Sequence, residues 1–300
     1  MSEDQTAHSS TEPGGGTVTA ADRSFETSSQ TVVAFAGQTL TIAQLEYRLS
    51  LRSRWTLALT ALFGLLSLLV VGFGGSSAGP FRVDAVVVSL ASLATYLVPL
   101  AALVYGYDTI VGAEETGWLD MVFALPVSRR RVVVGAFLGR ATSLAGATAI
   151  GFGLGGLVLF VRVDTVPWGL YADVLFGAVT LGLAFLALGV LVSTVAAEKT
   201  HALGIALLVW AWLVFGHDLA ALGLVAAFDL PNVMLTGLVL ANPIDIFRVF
   251  VLSGLEITGS GMAAVVTGTA LSTTVLLGGA MAWVVLPVSV AAQLIHRRSL

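Results

Sequence analysis

The sequence contains no cysteine and very little charge. Of its 300 residues none is Cys, and only 11% are Asp, Glu, Lys or Arg, whereas a soluble domain carries about 25% charged residues. The absence of cysteine excludes disulfides, thiolate metal sites and a cysteine nucleophile. Hydrophobic residues make up 57% of the chain, and its mean hydropathy is +0.94. So apolar a chain with so little charge indicates an integral membrane protein.

Residue sets that carry chemistry are also missing from the sequence. Lys199 is the single lysine, and Glu198 precedes it where a phosphate-binding loop requires Gly, so the chain does not bind ATP through such a loop. The histidines are scattered without ligand spacing: His8, His201, His217 and His296. We therefore predict no catalytic residues, no metal site and no bound cofactor in this chain, and we do not expect an enzyme.

The N-terminal segment differs in composition from the rest of the chain. Residues 1–30 are rich in Ser, Thr, Gly and acidic residues, so they have too little apolar surface to fold and predict a disordered cytoplasmic tail. A signal-peptide pattern is absent from it. The membrane domain is expected over residues 41–298, and we interpret Thr41–Arg54 as an interfacial helix at its start.

Long apolar runs predict an all-α polytopic membrane protein with six transmembrane helices. A bilayer needs about 20 apolar residues per helix. The predicted spans are Trp55–Phe73, Ala85–Val104, Ala141–Val161, Val174–Val195, Ala202–Phe228 and Met262–Leu286. With the N-terminus inside, eleven of the fourteen basic residues fall in cytoplasmic segments. That asymmetry predicts that both termini are cytoplasmic.

Two further apolar runs are too short to cross a bilayer. They are Val233–Leu240 and Ile246–Leu255, and residues 229–231 and 242–245 break the backbone before each run. Irregular backbone exposed to lipid is not tolerated. We therefore predict two short helices before the last span, either outside the membrane or re-entrant.

A polar stretch between the second and third spans has a helical pattern of its own. Trp118, Met121, Val122 and Leu125 have the i, i+3, i+4, i+7 spacing of one helix face. Pro126 ends this short helix. Ser128 then has the position of a cap for the next helix. The acidic residues of the polar stretch are Glu114, Glu115 and Asp120. They have no His beside them, so docking or solvation is favoured over acid–base chemistry.

The fifth predicted span contains one polar interruption, His217-Asp218. Ionisable residues within a membrane segment are candidate functional groups. The spacing from the start of the span puts the pair near the outer headgroups, so we favour an interfacial or helix-breaking role over a proton relay.

The polar stretch resembles the first cytoplasmic loop of ABC-2 type transporter permeases, which contains the coupling helix. The residues that carry the resemblance are Glu114, Gly117, Leu125, Pro126, Val127, Ser128 and Arg129. Glu115 and Trp118 stand where the family commonly has a basic residue and Thr. A second motif resembles the permease of the nitrous-oxide reductase maturation transporter: Asn242, Pro243, Asp245, Phe247 and Arg248.

The resemblance implies a transport subunit that works with other proteins. It implies docking of residues 114–129 on a separate ATP-binding subunit, which would hold ATP and magnesium, and pairing with a second copy of the chain. In the narrower group it implies an extracytoplasmic β-helix partner and a role in copper-site assembly. Export of a lipid, drug or other solute stays open, as does an ion-coupled secondary transporter. No nucleic-acid partner is expected.

Overall fold

The computed structural model describes residues 43–44, 54–73, 83–123, 128–163, 166–252 and 271–297, and every regular element in these ranges is helical. The helices are α1 (Arg54–Phe73), α2 (Val83–Gly106), α3 (Val111–Glu115), α4 (Trp118–Phe123), α5 (Arg129–Arg162), α6 (Trp168–Val195), α7 (Lys199–Ala211), a π turn (Trp212–Gly216), α8 (His217–Ala227), α9 (Asn232–Leu240), α10 (Pro243–Leu252), α11 (Thr273–Leu294) and a 3₁₀ turn (Ile295–Arg297). The predicted tail and most of the predicted interfacial helix lie outside the described residues.

Six helices in the described ranges are long and apolar enough to cross a membrane, as the sequence predicts. They are α1, α2 continuing into α3, α5, α6, α7 continuing into α8, and α11. Two boundaries differ from prediction. The third span begins at Arg129, twelve residues before the predicted start, because the helix expected after Ser128 continues without a break into the apolar run. The last span runs to Leu294 rather than Leu286, because Pro287 is accommodated inside the helix.

The fourth span, α6, lies at the centre of the bundle. In its most apolar stretch 61% of the residues are buried inside the protein, against 22% for the fifth span. Phe185, Leu186 and Val190 on α6 are fully buried in the main hydrophobic core. α6 also approaches α2 closely, since a Cβ on Gly189 would lie 3.0 Å from the Cα of Gly106. Small residues allow this backbone contact in a membrane bundle.

The first and third spans pack through a small-residue stripe on α5. A Cβ added to Gly151 would lie 2.5 Å from the Cβ of Phe63, and one on Gly155 would lie 3.0 Å from Ser67. The Ser67 hydroxyl donates a hydrogen bond to the Gly151 carbonyl over 2.8 Å. The Gly-x-x-x-Gly spacing therefore serves packing within one chain at this position.

The two short helices predicted before the last span are present as α9 and α10. They meet at a bend of 109° across Ala241 and Asn242. Trp283 on α11 donates its indole N–H to the Leu240 carbonyl over 2.9 Å, which satisfies a backbone acceptor at the end of α9. The bent pair is thereby held against the last span. Residues 253–270, which include the predicted start of that span, lie outside the described residues.

Candidate functional site

The predicted coupling stretch folds as two short helices, α3 and α4. Gly117 separates them with a positive φ of 69°, a conformation that glycine adopts without strain. The Gly117 N–H donates to the Glu114 carbonyl over 2.9 Å and so ends α3. This turn gives a physical reason for a glycine at this place in the motif.

The faces of α4 are divided between the core and the surface. Leu119 is buried, Trp118 is half-buried against the main core, and Met121 has 69% of its surface exposed. Within the predicted stripe, therefore, Trp118 contributes to the protein's own packing and Met121 is available to a partner. The side chain of Val122, and Leu125 and Pro126 entirely, lie outside the described residues.

The third span begins immediately after this stretch. Ser128 has the extended backbone of an N-cap, but its side chain makes no cap hydrogen bond. Arg129 and Arg130 follow in the first turn, and Arg130 donates from Nε to the His296 ring over 3.2 Å. The coupling stretch and the C-terminal end of the last span therefore lie at the same end of the bundle.

A charged network anchors the coupling stretch to the spans behind it. Arg140 on α5 donates from Nη1 to Asp108 over 2.8 Å and to the Tyr105 carbonyl over 2.6 Å. Lys199, at the start of the fifth span, places Nζ 3.5 Å from the other carboxylate oxygen of Asp108. One carboxylate thus joins the second, third and fifth spans just before α3.

Two further contacts fix α3 itself. The Ser193 hydroxyl on α6 accepts hydrogen bonds from the backbone N–H groups of Ile110 and Val111, over 2.9 and 3.1 Å. Glu115 accepts from the backbone N–H of Lys199 over 3.0 Å, while Glu114 is partly buried. Since α3 is bound to both ends of the α6–α7 turn, a displacement of α3 would be transmitted to the fourth and fifth spans.

The second sequence motif builds the bend between α9 and α10. Asn242 caps α10, because its Oδ1 accepts from the Ile244 N–H over 3.0 Å. Pro243 follows at the first helical position, where its missing N–H costs nothing. Phe247 packs over Gly177 of α6, where a Cβ would lie 2.8 Å from the ring. The motif residues therefore determine both where α10 begins and how closely it packs.

The remaining motif residues form a buried polar cluster with the fifth span. Arg248 donates from Nη1 to Asp218 over 2.6 Å and to Asp245 over 3.3 Å. His217 places Nδ1 3.2 Å from Asp245 Oδ2. Asp245 is fully buried, and Arg248 has only 8% of its surface exposed. Two sequence features that were separate, the His217-Asp218 interruption and the Asn242–Arg248 motif, are thus one site.

The fifth span is adapted to this cluster. The π turn Trp212–Gly216 immediately precedes His217, and Asn242 donates from Nδ2 to the Leu213 carbonyl inside it over 2.9 Å. π turns often occur at functional sites. The span continues as α8, so of the two expected roles the helix-breaking one is wrong: His217-Asp218 follows a π turn within a continuous span. The signals in the sequence were an ionisable pair within a span and an i, i+3 Asp–Arg pair.

A cleft of about 460 Å³ reaches His217 from between the fourth, fifth and sixth spans. Its lining is Leu188, Ile205, Leu208, Val209, Trp212, Leu213, His217, Ala241 and Trp283. His217 supplies the ionisable group of this lining. The arrangement therefore brings an aromatic and apolar cleft to the edge of the polar cluster.

Comparison with known proteins assigns this fold to a family. Residues 40–300 match the family described as ABC-2 family transporter protein. A probable ABC transporter permease protein NosY of Pseudomonas aeruginosa is 40% identical over 230 residues, covering 74% of this chain and 84% of the relative. A protein of the same description from Stutzerimonas stutzeri is 35% identical over 272 residues, covering 87% of this chain and 99% of the relative.

These matches agree with the helical bundle. They span most of the chain and most of each relative, so they concern the whole membrane domain rather than one motif. The relatives are named as transport components rather than enzymes, and the secondary-transporter alternative is set aside. The chain therefore belongs to the ABC-2 family of transporter proteins, as a multi-pass membrane permease subunit of an ABC transporter.

Proposed function

We propose that this permease is driven by a separate ATP-binding subunit that docks on residues 114–129 at the cytoplasmic face. The observation that carries the proposal is the attachment of α3 to three spans through Asp108, Glu115 and Ser193. Because these contacts join the stretch to the third, fourth and fifth spans, a displacement of the stretch by an ATPase moves the cytoplasmic ends of those spans together. ATP and magnesium are bound by the partner, which supplies the energy.

The docking surface is the exposed part of the same stretch. Met121 is exposed on a helix of six residues, which is too short to be stable alone. An exposed apolar side chain beside an acidic residue suits a partner groove that buries the former and pairs with the exposed Glu115 at the rim. Arg129 lies at the end of this surface.

The working assembly contains two copies of the chain and two ATPases. In the most apolar stretch of the fifth span only 22% of the residues are buried within one chain. The large surface that is left exposed supports a second copy packed beside this span. Both termini lie in the cytoplasm, which follows from the basic-residue asymmetry.

The narrower assignment is to the system that matures the copper sites of nitrous-oxide reductase, with an extracytoplasmic β-helix partner. It is supported by the Asn242–Arg248 motif and by the NosY name of both relatives.

The coupling proposal is tested directly by co-purification of the permease with the ATPase and by the ATPase rate of the reconstituted complex. A complex that forms and responds to substitutions in residues 114–129 supports the coupling proposal. Copper content of nitrous-oxide reductase from cells lacking this chain tests the narrower assignment separately.

A further inference from the structure

The polar cluster contains buried polar atoms that lack a hydrogen-bond partner among the described residues. These atoms are Asp245 Oδ2, Asp218 Oδ1 and His217 Nε2. Asp245 is completely buried, which makes an unsatisfied carboxylate oxygen costly. Such a buried group requires a specific partner, because buried polar atoms are nearly always satisfied.

The backbone around Asn242 fixes what faces His217. The Leu213 carbonyl only accepts and the Ile244 N–H only donates, so the Asn242 amide is oriented with Nδ2 toward Leu213 and Oδ1 toward Ile244. The same Nδ2 lies 3.2 Å from His217 Nδ1. A donor in that place is satisfied when Nδ1 carries a lone pair rather than a proton.

The single lone pair of Nδ1 serves either the Asn242 amide or an ion, and a bound ion takes it in place of Asn242. His217 Nδ1 then faces Asp245 Oδ2 across 3.2 Å with no hydrogen between them. Two ligands about 2.1 Å from one metal ion, at tetrahedral to octahedral angles, lie about 3.0–3.4 Å apart. The observed separation fits two neighbouring ligands of a single cation, and it also fits a hydrogen bond from a proton on Nδ1 to Asp245.

Arg248 organises the carboxylates without neutralising them. It binds Oδ2 of Asp218 and Oδ1 of Asp245, and so leaves one oxygen of each directed away from the guanidinium. Two carboxylates and one guanidinium carry a net charge of −1 when the imidazole is neutral. One ligand atom from each of His217, Asp218 and Asp245 lies within 4.8 Å of the others.

We propose that His217, Asp218 and Asp245 bind one divalent first-row transition-metal ion, with water completing its coordination. One imidazole nitrogen and two carboxylate oxygens suit a borderline ion such as Zn²⁺ better than a soft monovalent one. Arg248 and Asn242 orient the ligands from the second layer. The site goes beyond the permease assignment and does not depend on what is transported.

The site has access from outside the bundle. His217 lines the cleft described above, and Asp218 has 18% of its side-chain surface exposed. His217 follows Lys199 by eighteen residues, or about 27 Å along a helix. Since the apolar core of a bilayer is about 30 Å thick, the cluster lies near the membrane boundary opposite the coupling stretch, where aqueous ions are available.

Metal binding is tested directly on the full-length chain, purified with a tag that contains no histidine and stripped with chelator. Dialysis against Zn²⁺ is expected to load about one ion per chain, measured by elemental analysis. His217→Gln and Asp245→Asn are expected to lose that ion. His201→Ala, which removes an exposed histidine two residues from the start of the fifth span, is the matched control and retains the ion.

A spectroscopic measurement identifies the ligand. Cu²⁺ bound to the stripped chain is expected to show hyperfine coupling to one imidazole nitrogen in its electron paramagnetic resonance spectrum, and His217→Gln removes it. His217→Gln also guards against misfolding of the aspartate variant, with size-exclusion profiles confirming intact protein. Less than about a tenth of an ion per wild-type chain, or equal loading of wild type and both variants, overturns the proposal. In that event a proton on His217, donated to Asp245, fills the gap.

Discussion

The backbone N–H of Lys199 donates a hydrogen bond to the Glu115 carboxylate over 3.0 Å, across 84 residues of sequence. The same lysine places its ammonium group 3.5 Å from Asp108. The first residue of the fifth span is therefore attached through Glu115 to the segment on which an ATPase is proposed to act, and through Asp108 to the residues just before that segment. The π turn and the polar cluster lie further along the same span, at residues 212–218, so one span connects the two sites.

Asp108→Asn is expected to uncouple the permease without unfolding it. The carboxylate is 30% exposed, and partly exposed ion pairs are each worth about 0.2–1 kcal/mol, so the bundle stays assembled. The ATPase should still co-purify, but its rate in proteoliposomes should no longer respond to the permease as it does in wild type. Asp173→Asn, at the opposite end of the fourth span, is the control. A fully wild-type response of the Asp108 variant would rule out this network as the coupling path.

Leu125→Asp and Met121→Asp are expected to weaken docking of the ATPase. Burying a large apolar side chain contributes about 1.5–3 kcal/mol, and a carboxylate in the same contact adds a desolvation cost. Recovery of the ATPase with the permease should fall by tenfold or more, while Met121→Leu keeps the apolar contact and serves as control. Wild-type recovery and wild-type ATPase activity for Leu125→Asp would show that residues 114–129 are not the docking element.

Gly151→Ala is expected to destabilise the bundle. The new methyl group would lie 2.5 Å from the Phe63 Cβ, and overpacking of this kind costs about 1–3 kcal/mol. The transition midpoint in thermal unfolding, followed by tryptophan fluorescence in detergent, should drop. Gly153→Ala is matched on the same helix, where a Cβ meets nothing within 4 Å, and should leave the midpoint unchanged or raise it. Equal midpoints for the two variants would contradict the packing described for α1 and α5.

Arg248→Met is expected to be the most destabilising of these changes. It leaves Asp218 and Asp245 without their shared cation, and breaking a buried ion pair costs about 3–5 kcal/mol. Stability to unfolding is measured in the presence of a chelator, so that a bound metal does not replace the lost charge. Arg162→Met removes an exposed arginine at the end of α5, where the helix dipole contributes about 0.3–1 kcal/mol. A smaller loss of stability for Arg248→Met than for Arg162→Met would argue against a structural role for the cluster.

Cysteine labelling tests the proposed orientation, since the chain has no cysteine of its own. Single substitutions at Ser9, Ser128 and Ser260 are treated with a membrane-impermeant thiol reagent on intact cells. Only the Ser260→Cys protein should react, because the basic residues predict that the other two positions are cytoplasmic. Reaction at Ser128 would reverse the topology.

The sequence by itself determined the class of the protein and most of its helices. Low charge and apolar runs suffice for this, because the bilayer imposes length and hydrophobicity on each span independently of its neighbours. The short helices before the last span followed from the same rule, since each run is too short to cross. The proline at 243 also gave a local break that does not depend on tertiary context.

Helix ends were less well determined. Arg129 to Arg140 contains four arginines and lies outside the predicted span, although a helix capped by Ser128 is expected there. In the structure it is part of the same helix, and Asp108 and the Tyr105 carbonyl bind Arg140 from another span. Likewise, Trp118 was predicted on a docking face, but it is half-buried against the protein's own core. Where a helix begins and whether a side chain is buried depend on contacts between segments distant in sequence. Hydrophobic periodicity carries no information about those contacts.

Only the tertiary structure decided that His217 and Asp218 belong with Asp245 and Arg248. Along the chain Asp218 and Arg248 are 30 residues apart, and the histidines showed no ligand spacing. The 109° bend between α9 and α10 returns the motif to the fifth span, and the π turn brings the Leu213 carbonyl within reach of Asn242. A sequence pattern records neighbours on one helix, whereas this cluster exists because two bent segments meet in a buried place where unpaired charge is too costly to persist.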